Sequence, residues 1–370
     1  YRDEDARGDR QPEFTQIDME MSFVERDDVL ALTEGLMVHI FKETMNVDLP
    51  TQFQRIAYDD SIELYGTDKP ELRFDMKMQE GAFLAEMGTF QAFKDAVATG
   101  AIKALVVPGV AEAYSRKKIE ELEATAKIYN AKGLGWMKVM GTKEAPVLEG
   151  GISKFFEGKA ADVCQKLGAD VGDLLLFVAD AKRKVACTAL GAVRTRLGKD
   201  LNLCDPNKWA FAWIVDFPMF EWNEEENKWE TAHHMFTMPQ YKYHPTLESD
   251  PGSVKGDLYD LVLNGYELAS GSIRIHDPEL QKRIFKIVGF NEEDGQKKFG
   301  FLTEAFKYGA PPHGGIAPGL DRLIMIMCNE VSIHDVIAFP KNSFAISPMD
   351  ECPSEVDEQQ LRDLHISITE

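Results

Sequence analysis

The chain has 370 residues with 44% hydrophobic content and a net charge of -21. That length favours two or more lobes over one continuous core, and the acidic balance argues against a nonspecific nucleic-acid binder, which needs spread cations. No run of about 18 apolar residues offers a membrane span, the first thirty residues are too charged for a signal peptide, and five cysteines without a CxxC pair point to reduced thiols in a cytoplasmic protein.

The chain opens on Tyr1 with a charged loop, DEDARGDRQP, that reads as the connection of an antiparallel pair. The alternation after it predicts a strand with Phe14, Gln16, Asp18 and Glu20 on one face and Thr15, Ile17 and Met19 on the other. Arg2 would then approach the polar face of that strand, where an arginine holds phosphate or carboxylate through two points. A salt-bridged surface hairpin explains the stretch equally well. A helix is predicted from Val29 to Met45.

From residue 74 to 205 the texture changes to short strands and two amphipathic helices, an α+β module with its own core. In SRKKIEELEATAKIYNAKG, Ile119, Leu122, Ala126 and Tyr129 share a helical face and Gly133 is the expected stop. DLLLFVAD reads as a buried strand, and Val185, Ala189, Val193 and Leu197 mark the helix after it. Strand-rich sections on both sides suggest a module inserted into a host sheet. Segments 1–73, 206–350 and 351–370 are the remaining divisions, the last predicted to end in a short packed helix.

Three later stretches carry chemistry. In LYDLVLNGYELASGSIRIHD, Asn264-Gly265 predicts a two-residue type I′ hairpin with Leu263 opposite Tyr266, Val262 opposite Glu267 and Asp260 opposite Ala269. Asp260 and Glu267 then share a face, and two adjacent carboxylates call for a cation such as magnesium on nucleotide phosphates, unless both are simply solvated. Arg274 lies an odd number of residues beyond Glu267, so a bulge at Ser270-Gly271-Ser272 is needed to bring both to one pocket. In GGIAPGLDRLIMIM, Arg322 at the start of an apolar helix suits an anion, although a structural glycine turn fits as well. His233-His234 lacks the companions of a zinc site and suits either pocket lining or ordinary packing.

Taken together, RDEDARGDRQPEFTQIDME, TAHHMFTMP, NGYELASGSIRIHD and PPHGGIAPGLDRL resemble, in order, the bacterial-type aspartate–tRNA ligases, class II aminoacyl-tRNA synthetases. The resemblance implies an α+β fold: an antiparallel sheet flanked by helices, with an inserted α+β domain of the GAD type at 74–205. It implies ATP, L-aspartate and tRNA as partners, Mg2+ as cofactor, a homodimer and no membrane association.

By the same resemblance Arg2 and Arg322 would be catalytic. Arg2, Asp3, Glu4, Gln11, Phe14, Glu267, Gly319, Leu320, Asp321 and Arg322 would hold ATP. Arg2, Gln16, Asp18, His233 and Arg274 would bind aspartate, Asp260 and Glu267 the metal, and Glu4 and Arg7 the tRNA acceptor end. Met235 stands where the family often has proline, and Ala269-Ser270 replace part of a glycine run.

The resemblance also implies an anticodon-binding domain and motif 1 upstream of Tyr1, so that these residues alone would charge tRNA poorly. Three rivals remain: an asparagine–tRNA ligase, an amide ligase using an acyl adenylate, and a regulatory paralogue without chemistry.

Overall fold

The structure is a computed structural model that describes residues 1–2 and 7–369, apart from the Glu292 side chain. The chain divides into two compact units, Glu20–Ile316 and a smaller one made of Tyr1–Met19 with Ala317–Glu370.

The main sheet has the order Met19–Ser22, His313–Pro318, Tyr266–Ile273, Leu258–Leu263, Phe211–Val215, Gln54–Ala57. Leu258–Leu263 is buried throughout, Asp260 included, as its place between two paired strands requires. Both of these pairings are antiparallel, whereas the edge strand Gln54–Ala57 runs parallel to Phe211–Val215.

Asn264 (φ 51°) and Gly265 (φ 82°) are both left-handed, as the expected type I′ turn demands. The Asn264 amide also accepts from Ala210 N at 2.9 Å and donates to Lys208 O at 3.1 Å, fixing the turn to the neighbouring chain.

The helix Arg26–Met45 starts three residues before the expected Val29, on a capping box between Glu25 and Asp28, and stops at Asn46 in the left-handed conformation. It buries Val29, Leu30, Met37 and Phe41. The buried Glu34 ties it to the surrounding chain, accepting from Trp213 Nε1 at 2.9 Å and from Phe53 N at 3.0 Å.

A second sheet, all antiparallel, has the order Gln79–Glu80, Ala101–Val107, Leu174–Asp180, Gly135–Gly141, Pro146–Glu149. Both faces are covered, which is why LLLFVAD is apolar without alternation. One face meets the helices Arg116–Ile128 and Arg183–Asp200, and the other buries Phe93, Phe156 and Val163.

Ile119, Leu122 and Ala126 are buried as expected, but Tyr129 is not. The helix ends at Ile128, Tyr129 is the exposed cap, and the stop is Asn130 at φ 65° and not Gly133.

Two buried cations fasten this sheet to the preceding segment. Lys103, only 2% exposed, lies 3.0 Å from Glu63 and 2.9 Å from Glu80, and Arg183 bridges both acids at 2.6 Å. Arg194, fully buried, donates through Nε to Met76 O and through Nη2 to Glu71 O (2.9 Å) and Phe74 O (3.2 Å), while its guanidinium stacks over Phe74 and Tyr65. Desolvation pushes the Arg194 guanidinium down to about 10.

In the smaller unit Arg2 N donates to Pro12 O at 2.9 Å, and Arg7 and Arg10 form an antiparallel bridge around Gly8-Asp9. The predicted strand Phe14–Glu20 is mostly unformed: the ladder covers Met19–Ser22, with one earlier bridge from Gln16 to Gly319. The helix Leu320–Met327 follows Gly319 directly. The terminal helix Glu358–Asp363 buries none of its residues, so it is not the packed helix expected.

All five cysteines are free. Among the described residues no helix is long and apolar enough to cross a membrane.

Candidate active site

In the smaller unit the charged loop and the glycine-rich segment meet. Arg2 stands over the Phe14 ring, 5.4 Å from its centroid, so ring and cation form one surface. Asp321 Oδ2 accepts from Thr15 N at 2.7 Å and Leu320 N donates to Thr15 O at 2.9 Å, which binds the first turn of Leu320–Met327 to the residue after Phe14. Arg322 donates through Nε and Nη2 to Asp9 O at 3.3 and 2.9 Å. Gln16 Nε2 donates to Ala317 O at 3.3 Å, and Asp18 is exposed.

Gln11, expected to help hold ATP, is engaged by the chain at Lys341. It is 2% exposed, its Oε1 accepts from Lys341 N at 2.9 Å, and its Nε2 donates to Lys341 O at 3.1 Å and faces His334. In this structure it is a strut for the Lys341 main chain. Arg7 holds the loop bridge, while the expected Asp3 and Glu4 lie outside the described residues.

In the larger unit the hairpin register differs from the expectation at one point. Val262 faces Glu267 as predicted, but Leu261 faces Ala269 and Asp260 faces Ser270, so the extra residue is Leu268 and not part of Ser270-Gly271-Ser272. Gly271 serves a different need: a Cβ there would stand 2.2 Å from Gly315 O and 2.7 Å from the Tyr259 ring. The bulge at Leu268 changes the parity of the strand, and Glu267, Ser270, Ser272 and Arg274 come to share a face with Asp260.

Asp260 is 2% exposed, and its carboxyl is held well above the usual range by burial first and by the Glu267 charge second. A Ser270 hydrogen bond opposes the shift, yet Asp260 Oδ1 has no hydrogen-bond partner. An orphaned carboxylate oxygen beside a second carboxylate is a donor set that fits a hard cation such as magnesium. Among the described residues no group of three or more His, Cys, Asp or Glu is arranged to hold a metal, so the ion would draw its other ligands from phosphate and water.

Arg274 is the most heavily bonded group of this face. Nε and Nη2 donate to Glu20 Oε1 and Oε2, each at 3.2 Å, and Nη1 donates to Ser272 Oγ at 2.7 Å and to His234 Nε2 at 3.0 Å. An arginine cannot accept, so His234 Nε2 is the acceptor in this pair, while its Nδ1 faces Phe236 N at 3.3 Å and Thr237 Oγ1 at 3.4 Å. Burial first and the Arg274 charge second push this imidazole down to about 4.

His233, the histidine expected in the aspartate site, meets Phe217 edge-on at 5.0 Å. It lines a cleft of about 510 Å³ with Tyr58, Asp68, Lys69, Lys184 and Glu221. Desolvation of the ring by its neighbours lowers its pKa, although the residue as a whole is exposed, against the opposing pull of Glu267, Asp68 and Glu221.

Sequence reasoning assigned no role to His234 or Ser272 and saw Glu20 only as one member of a strand face. The paired histidines and the Ser-Gly-Ser run were the available signals, and neither reveals which side chain turns to Arg274.

A family model described as tRNA synthetases class II (D, K and N) matches residues 1–343. An aspartate–tRNA(Asp/Asn) ligase of Treponema denticola is 72% identical over 371 residues, covering 100% of this chain and 62% of that protein. An aspartate–tRNA(Asp/Asn) ligase of Treponema pallidum is 58% identical, covering 100% and 61%. An aspartate–tRNA ligase of Macrococcus caseolyticus is 49% identical, covering 100% and 62%. The chain thus spans about 62% of the length of the curated relatives it matches. With a match over residues 1–343 and the motif residues gathered at these two sites, the chain belongs to the class II tRNA synthetases of the D, K and N group.

Proposed function

We propose that the protein is an aspartate–tRNA ligase. The aspartate α-carboxylate attacks the α-phosphorus of ATP, the bond to the bridging oxygen breaks and pyrophosphate leaves. A ribose hydroxyl at the tRNA 3′ end then attacks the aspartyl carbonyl, loses its proton and releases AMP. Such chemistry asks the protein mainly to position reactants and to neutralise phosphate charge.

The observation that carries the reading is the hairpin face that holds the carboxylates Asp260 and Glu267 and to which one bulge adds the arginine Arg274. Asp260 and Glu267 would hold Mg2+, which when bound screens the negative charge of the ATP phosphates. Arg274 would take the aspartate side-chain carboxylate, with His233 at the same substrate. Arg2, Phe14 and Gly319 to Arg322 would bind ATP, Phe14 by stacking on adenine, with Asp3, Glu4 and Gln11 as further contacts. Arg2, Gln16 and Asp18 would line the amino-acid site, and Glu4 and Arg7 would meet the acceptor end of tRNA.

We assign residues 1–73 and 206–350 to the catalytic domain, 74–205 to the inserted GAD-type domain and 351–370 to a C-terminal extension. The protein would work as a cytoplasmic homodimer.

The Treponema relatives carry Asp/Asn in their names, which favours a second substrate range, charging of both aspartate and asparagine tRNA with aspartate. ATP–pyrophosphate exchange in the full-length protein, with aspartate and asparagine in parallel at saturating magnesium, tests the activity. Exchange with aspartate alone is expected; exchange with asparagine alone overturns the substrate, and none with either favours a paralogue without chemistry. Charging of purified aspartate and asparagine tRNAs then fixes the range.

A further inference from the structure

The reading of Arg274 as the group that takes the substrate's side-chain carboxylate raises a problem of space. A guanidinium grips a carboxylate in two-point fashion along one of two edges, Nε with Nη2 or Nη1 with Nη2. The first edge is filled by Glu20, and on the second Nη1 has given its two protons to Ser272 and His234. A ligand carboxylate therefore has to evict a partner from one edge.

The two edges are not equally strong. The Nη1 bonds are 2.7 and 3.0 Å long and end on the buried Ser272 and on a half-buried His234. The Glu20 bonds are both 3.2 Å, longer than the about 2.7–2.9 Å usual for charge-assisted pairs. Glu20 is also 45% exposed, so water solvates it when it lets go. The Glu20 edge is the one that opens.

Resting on that reading of Arg274, we infer that Glu20 is an internal occupant of the Arg274 fork, displaced by the side-chain carboxylate of the incoming amino acid, and that this exchange helps set specificity. An anion replaces Glu20 like for like. A neutral carboxamide offers one acceptor and one donor to a pair of donors, so it cannot match the carboxylate it must evict. Glu20 thereby lowers affinity for every ligand, by the fraction of time it holds the fork, and an anion is the ligand best able to recover the loss.

The test is Glu20→Gln and Glu20→Ala in the full-length protein, read by ATP–pyrophosphate exchange with L-aspartate and L-asparagine. Loss of the competitor is expected to lower KM for aspartate by about three- to tenfold. KM for ATP should stay put, and the preference for aspartate over asparagine should narrow. A rise in aspartate KM would mean that Glu20 holds Arg274 in position for the substrate, and an unchanged KM would mean that the bridge is incidental; either overturns the exchange. Failure of the unsubstituted protein to exchange with aspartate would instead reject the functional reading beneath it, and this inference with it.

Discussion

The carboxyls of Asp260 and Glu267 share one face of a hairpin, Glu267 lying opposite Val262, and because Leu268 is passed over in the pairing, leaving Asp260 opposite Ser270, Arg274 comes to the same face. Without that extra residue, Glu267 and Arg274 would point to opposite sides of the sheet. The bulge thus brings an acid and a base into register along a single strand.

Asp260→Asn should separate function from folding. The substitution keeps the shape and removes a buried charge with an unmet oxygen, so denaturant unfolding is expected to show equal or greater stability. Magnesium-dependent exchange should fall about 100-fold or more, the scale of losing one electrostatic stabiliser of the transition state. Retained exchange would remove Asp260 from the metal site.

Gly271→Ala tests the close approach behind that face. An added Cβ would meet Gly315 O at 2.2 Å, which neither backbone can avoid without moving. A loss of about 3 kcal/mol in urea unfolding is expected, the upper end of overpacking costs. A loss under about 1 kcal/mol would mean the two strands separate easily.

Much of this region is legible in the sequence. The Asn-Gly turn, the pairing of its first two residue pairs and the common face of the acids all follow from local rules. The position of the bulge does not, since Ser-Gly-Ser has the composition of a bulge while Gly271 is there for its missing side chain. The strand predicted from Phe14 shows the same limit: its alternation is real, but its partner His313–Pro318 ends at a proline and leads into a helix, leaving Gln16 a lone bridge. Glu20 and Arg274 stand 254 positions apart, and nothing local in either stretch announces that they pair.

Lys103→Met should destabilise the second sheet by about 3 kcal/mol, since it strands Glu63 and Glu80 beside a buried site. Both acids are partly exposed and keep Arg183, which holds the effect to the lower end of the range. Urea unfolding of the two proteins at neutral pH checks it, and an unchanged midpoint would mean Lys103 is no fastening.

The same cluster gives a pH dependence. Hydrogen bonding from Arg183 is the largest influence on Glu63, and with Lys103 it brings the carboxyl down to about 2 from its ordinary 4.5. A lowered carboxyl pKa stabilises the fold above the unfolded value and loses that contribution as pH falls through the folded one. The stability gap between the parent and Glu63→Gln should therefore be full above pH 4.5 and shrink as pH falls toward about 2. A gap independent of pH across that window would refute the assignment.

Arg194 places its hydrogen bonds on the carbonyls of Glu71, Phe74 and Met76, and carbonyls are common to every residue type. The helix that closes the second sheet therefore carries its own latch for the chain leading into it, gripping the main chain by these carbonyls and the rings of Tyr65 and Phe74 by their faces. Carbonyls survive any substitution and rings do not, so the latch keeps its hold when the side chain at Met76 changes and loosens when either ring is lost.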